Sequence, residues 1–193
     1  MANPDQALFT WLNGWVGSVP AVDEAVKWLV SDYLVPVGLV LTLVAIWFSA
    51  VDRQARERHQ IGVMVALASM GISSGLVMLI NSLYFRPRPF VDLDVALLFY
   101  RPTDSSFPSN SAAAAFAIAA GVWTANRRVG TVLFAVAFAY GLSRVYAGVH
   151  YPLDIVSGAI IGLIVTLLVL RLKDILGPLP TAVIRAARIF TLA

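Results

Sequence analysis

Cysteine is absent from this chain, and histidine occurs only twice. Without Cys there is no disulfide framework and no thiolate chemistry, and two His are a poor basis for a zinc site. A zinc site is therefore not expected, and the chain is read without a cofactor. Charge is scarce as well: Asp, Glu, Lys and Arg supply 13% of the residues, against 59% hydrophobic. That profile belongs to a polytopic membrane protein and not to a soluble domain. The formal charge of +3 is too modest to argue for a nucleic-acid partner, and its placement speaks instead to topology. The first residues, Met1-Ala2-Asn3-Pro4-Asp5-Gln6, lack the basic stretch and apolar run of a cleaved signal peptide. No repeat, low-complexity tract or linker divides the sequence, so one domain over 1–193 is expected.

What is present is a series of apolar segments. Residues 5–31 are amphipathic, and Trp11, Trp15 and Trp28 with the charges of Asp23, Glu24 and Lys27 predict interfacial helices over 1–32. Apolar segments at 33–50, 61–85, 110–125, 129–149 and 152–172 predict an all-α bundle with about five transmembrane helices. The membrane core is thus 33–172 and the tail 173–193. Gly177, Pro178 and Pro180 break the chain before a segment with Arg185 and Arg188 that reads as a basic surface helix. Arg53, Arg56, Arg58, Arg127, Arg128, Arg171 and Lys173 fall on one side of this arrangement, together with the tail. That side is expected to be cytoplasmic, in a plasma or inner membrane. The 86–108 loop and the turn at His150 then share the extracytoplasmic face.

Three polar clusters interrupt the apolar pattern. The run Ser143-Arg144-Val145-Tyr146-Ala147-Gly148-Val149-His150-Tyr151-Pro152-Leu153-Asp154 places a cation, an imidazole and a carboxylate between two apolar segments, where ionisable groups are costly. Pro152 suits a first helical position, and the four-residue spacing lets Asp154 reach His150 and fix its tautomer. A His oriented by Asp beside a buried Arg has the make-up of a nucleophile with an anion clamp. The second cluster, Arg86-Pro87-Arg88-Pro89, presents guanidinium groups stiffly enough for forked phosphate binding. The third, Pro108-Ser109-Asn110-Ser111, is a good helix start, whose free N–H groups suit an anion. Read one at a time, these are also a polar helix end, a headgroup anchor and an ordinary cap.

Together, the order and spacing of the clusters resemble the type 2 phosphatidic acid phosphatase superfamily of membrane lipid phosphatases. That family reads Lys-x6-Arg-Pro, Pro-Ser-x-His and Ser-Arg-x5-His-x3-Asp. Ser143, Arg144, His150 and Asp154 complete the third motif, Arg88-Pro89 matches the first in part, and Pro108-Ser109 the second. The amphipathic N-terminus and Phe-Arg-Pro-Arg-Pro-Phe run are similar to the bacterial undecaprenyl diphosphate phosphatase branch. The resemblance implies that His150 attacks phosphorus to form a phosphohistidine and that Asp154 orients it. It also implies that Arg88, Arg144, Ser109 and Asn110 hold phosphate oxygens without a metal. Two positions depart from the pattern. Asn81 stands where the family has Lys, with Arg86 as a possible substitute. Ser111 stands where the family has the His that protonates the leaving oxygen, either naturally or by replacement. A hydroxyl is a poor proton donor near neutral pH, so impaired turnover and a preference for diphosphates are expected. A relative that binds a lipid phosphate without turnover, a phosphatidic acid or phosphatidylglycerophosphate phosphatase, and a small transporter are the competing readings.

Overall fold

The computed structural model describes residues 3–50 and 52–176. The tail read above as a basic surface helix lies outside them. The described residues form eight helices and no strand: α1 (Pro4–Asn13), α2 (Pro20–Val30), α3 (Leu34–Phe48), α4 (Arg53–Leu83), α5 (Pro89–Asp92), α6 (Asn110–Ala125), α7 (Arg127–Tyr146) and α8 (Pro152–Leu176). Local chemistry explains where they begin. Pro opens α1, α2 and α5, where its missing N–H is no loss. The side chains of Asn3, Asp52, Ser109 and Asn126 cap α1, α4, α6 and α7. The Arg-rich stretch from Arg53 to Arg58, between two of the expected apolar segments, forms the first turns of α4, capped by Asp52. Its charges extend that helix past its apolar portion.

α6 is the hub and packs most extensively on α4, α8 and α7. Its Ala112, Ala113, Ala115, Ala117 and Ala119 are all buried, so backbones approach closely in the manner of membrane helices. On α8, a Cβ built at Gly158 would fall 2.3 Å from the carbonyl oxygen of Ser109. A hydrogen side chain at that point lets α8 lie directly against the start of α6. The large apolar residues face outward, among them Val40, Leu41, Phe48, Met78, Leu79, Leu167 and Leu168. Small residues inside and large ones outside suit a lipid surround.

Three helices, α4, α7 and α8, are long and apolar enough to cross a membrane; α2 and α3, bent by 54° at their junction, make a fourth if counted as one span. The expected count of five spans is therefore not confirmed. The difference lies in α3, whose 15 residues need α2 to make up a span, and in α6, whose 16 residues rise only about 24 Å against about 30 Å of hydrocarbon. The first turn of α6 starts inside the protein, where the Ser109 cap is fully buried. At the N-terminus, α1, α2 and the turn between them expose Trp11, Trp15 and Trp28 while burying Asp5, Phe9, Asn13 and Asp23.

Candidate active site

The turn between α7 and α8 builds the centre of the site. Arg144 lies in the last turn of α7. The backbone then reverses through Gly148 at φ +88°, a left-handed conformation that favours glycine, and the Val149 N–H closes on the Arg144 carbonyl at 3.1 Å. His150 follows, and Pro152 opens α8. Asp154 is the third residue of that helix and accepts the backbone N–H of Tyr151 at 2.8 Å, the returning half of a capping box. Arg144, His150 and Asp154 are 7%, 4% and 0% exposed, so their polar atoms must be satisfied within the protein.

The 86–108 loop folds over this turn. The Ser106 N–H donates to the Arg86 carbonyl at 2.9 Å, and the Ser109 N–H donates to the Asp154 carbonyl at 3.0 Å. These bonds tie the loop and the start of α6 to the start of α8. Nδ1 of His150 lies 2.9 Å from the Ser106 carbonyl oxygen, an acceptor only, so Nδ1 carries the proton. Nε2 lies 3.3 Å from Nη1 of Arg88, a donor only, so Nε2 presents its lone pair. The tautomer is thus set by Ser106 and Arg88. Asp154 Oδ2 is 3.6 Å from Nδ1, beyond hydrogen-bond distance. The direct bond expected from the spacing is replaced by a relay in which the Ser106 hydroxyl donates to Asp154 Oδ2. Burial pushes the His150 pKa below its usual value, with the neighbouring Arg88 and Arg144 adding to that and Asp154 opposing it. The ring is therefore neutral near pH 7, as a nucleophile requires.

His150 lines a cavity of about 270 Å³ together with Asn81, Arg88, Asn110, Ser111 and Arg144, with Asp32, Tyr100 and Asp104 at its wall. Arg88 donates to the Val149 carbonyl at 2.9 Å and to Asp104, whose Oδ1 accepts from Nη2 at 2.8 Å. Arg144 donates to the Tyr140 hydroxyl at 2.8 Å and to Asp32 at 3.3 Å, and lies over the Phe99 ring at 5.0 Å. Its Nε and the Asn81 Oδ1 are buried without a hydrogen-bond partner among the described residues. Ser111 Oγ is 3.0 Å from Ser109 Oγ.

Five of the sequence-derived candidates thus share the cavity with His150: Asn81, Arg88, Asn110, Ser111 and Arg144. Two phosphate-binding candidates sit elsewhere. Ser109 is fully buried and its hydroxyl caps Ala112, because the first turn of α6 needs that acceptor. Arg86 is turned away from the cavity, pairing with Asp154 at 2.6 Å and Asp5 at 2.7 Å; two carboxylates outcompete an open cavity for its guanidinium. The polar neighbours that sequence reasoning missed are Asp5, Asp32, Asp104, Ser106 and Tyr140. Tyr140 carried a signal, four residues before Arg144 on one helix face. The other four come from distant segments and carried none. Among the described residues no group of three or more His, Asp or Glu is placed to hold a metal ion.

Over residues 62–177 the sequence matches the PAP2 superfamily. The chain belongs to the PAP2 superfamily. Undecaprenyl-diphosphatase BcrC of Bacillus subtilis (strain 168) is 31% identical over 165 residues, covering 86% of this chain and 82% of the relative. A Bacillus licheniformis relative named bacitracin transport permease protein BcrC is 30% identical, covering 83% of this chain and 76% of that one. The crystal structure of Aquifex aeolicus LpxE superposes with a TM-score of 0.67 at 29% identity, covering 88% of this chain and 96% of that one. As a PAP2 phosphatase, the chain is a membrane-embedded hydrolase of phosphate esters.

Proposed function

We propose that the chain hydrolyses a polyprenyl diphosphate of the undecaprenyl type to the monophosphate, at the extracytoplasmic face, through a phosphohistidine on His150. The observation that carries this reading is the orientation of His150, whose Nδ1–H donates to the Ser106 carbonyl and leaves Nε2 unprotonated, at a cavity whose two cations are Arg88 and Arg144. The name of the Bacillus subtilis relative supports the substrate, and the placement of the basic residues supports the sidedness. In the first step the Nε2–P bond forms and the bridging P–O bond breaks, releasing the polyprenyl monophosphate. Water then adds to phosphorus, the N–P bond breaks, and inorganic phosphate leaves. Arg88, Arg144 and the amide of Asn110 stabilise the equatorial oxygens as charge builds on them. Asn81 can turn its NH₂ toward the same oxygens.

Ser111 shapes the choice of substrate. Losing a general acid costs about 10²–10⁴ in rate, roughly 3–5 kcal/mol of barrier. A lipid monophosphate expels a strongly basic alkoxide that needs the proton, whereas a diphosphate expels a phosphate monoester that leaves readily. The test is phosphate release in detergent from a polyprenyl diphosphate and from a lipid monophosphate, comparing the chain with its Ser111→His variant. Diphosphate cleavage that exceeds monophosphate cleavage is expected, with a gain in Ser111→His. Equal cleavage of both substrates, or preferred cleavage of phosphatidic acid or phosphatidylglycerophosphate, overturns the substrate assignment. Tight binding without release from either protein moves the reading to a lipid-phosphate-binding relative, which Ser111 permits.

A further inference from the structure

Asp5 lies in the first turn of α1, an amphipathic helix whose Leu8 and Trp11 face outward. Its own carboxylate faces inward and is 2% exposed. Oδ1 accepts the Leu153 N–H at 2.9 Å, in the first turn of α8. Oδ2 accepts from Arg86 Nη2 at 2.7 Å, and Arg86 Nη1 donates to Asp154 Oδ1 at 2.6 Å. Two carboxylates therefore share one guanidinium, which also lies 4.2 Å over the Tyr151 ring. From Asp154 the relay continues through the Ser106 hydroxyl, and the Ser106 carbonyl holds His150 Nδ1.

A simple anchoring role for Asp5 explains less than this geometry. α1 is already pinned by Asn13, whose Nδ2 donates to the Ala96 and Tyr146 carbonyls, both at 2.8 Å, and whose Oδ1 accepts the Ala96 N–H at 3.0 Å. Phe9 of the same helix is buried against Tyr151, 5.4 Å between ring centroids. A buried charge is an expensive anchor compared with apolar packing, and this one sits on the guanidinium that holds Asp154. We propose that Asp5 is a positioning residue for phosphoryl transfer, acting on His150 through Arg86, Asp154 and Ser106, so that α1 is a working part of the site. The proposal rests on the phosphatase reading above.

The test uses the full chain in detergent, with Asp5→Asn, Arg86→Gln and the double variant, and polyprenyl diphosphate as substrate. Asp5→Asn is expected to lower kcat about 10–100-fold, as for loss of a charge-assisted hydrogen bond, with KM changed less than about twofold. In the Arg86→Gln background the same change is expected to cost less than about threefold, since the two act as one unit. Additive losses, a change confined to KM, or no change overturns the proposal. A second measurement does not depend on turnover. The chain has two histidines, so ring ¹⁵N spectra resolve His150 from His59. The unaltered chain is expected to show His150 as one Nδ1–H tautomer, and Asp5→Asn a mixture; an unchanged His150 signal overturns the proposal. If Asp5→Asn does not fold, Asp5→Glu, which keeps the charge but displaces its oxygens, is expected to show the same loss of kcat. Failure of both to fold makes Asp5 structural and overturns the proposal. If the unaltered chain releases no phosphate from any lipid phosphate, it is the phosphatase reading that fails, and the ring spectra still decide the role of Asp5.

Discussion

Nε2 of His150 and Nη1 of Arg88 lie 3.3 Å apart, and the same Arg88 nitrogen donates to the Val149 carbonyl at 2.9 Å. On the proposed mechanism, one guanidinium thus marks the lone pair of the attacking nitrogen and stands where phosphate oxygens would collect. Arg88→Lys keeps the charge but loses the planar fork. It is expected to lower kcat/KM for a polyprenyl diphosphate by about 10–100-fold, measured by phosphate release. A loss below twofold would mean that the fork is not used.

Ser106 has two separable functions, a carbonyl that holds His150 Nδ1 and a hydroxyl that holds Asp154 Oδ2. Ser106→Ala removes the second and keeps the first. A hydrogen bond to a charged partner contributes about 1.5–3 kcal/mol, so kcat is expected to fall roughly 10–100-fold with KM nearly unchanged. Steady-state kinetics decide this, and a rise in KM alone would assign the hydroxyl to substrate binding.

The pH profile follows from the buried imidazole. On the proposed mechanism His150 attacks as the neutral ring, and burial with the nearby Arg88 and Arg144 lowers its pKa from 6.5. In the free enzyme the acid limb of kcat/KM is therefore expected below pH 6.5, with activity retained above the limb and lost as pH falls through it. A limb above 6.5 would mean that Asp154 outweighs burial.

Asp104 pairs with Arg88, yet its side chain is 66% exposed, so the pair contributes little, on the order of 0.2–1 kcal/mol after solvent screening. An incoming phosphate must compete with it for Arg88. Asp104→Asn is expected to tighten inhibition by inorganic phosphate about two- to fivefold, measured as a change in Ki. Weaker inhibition would show that Asp104 orients Arg88 and does not compete for it.

Gly158 tests how closely α6 and α8 must meet. A methyl at this position falls 2.3 Å from the Ser109 carbonyl, so Gly158→Ala is expected to destabilise by about 1–3 kcal/mol and to lower activity by shifting the first turn of α6. Thermal unfolding in detergent with parallel activity assays checks both effects.

The sequence by itself determined the membrane class, the helical content and the placing of Arg144, His150 and Asp154 at one turn. These depend on composition and on separations of a few residues along one chain direction, which local geometry converts directly into position. It also marked Arg88 and Ser111 as site candidates through their family spacing, and Asn110 through the helix start at the end of the 86–108 loop. Tertiary structure decided which arginine meets the cavity: Arg86 and Arg88 are two residues apart, and only packing against Asp5 and Asp154 turns Arg86 away. It decided that Asp154 reaches His150 through Ser106, 44 residues before the histidine. It also decided that Asp5 meets Leu153 across 148 residues, and that α6 starts inside the protein and so falls short of a full span. In each case the deciding energy is a choice among partners that become neighbours only when the helices pack, and no spacing along the chain encodes that choice.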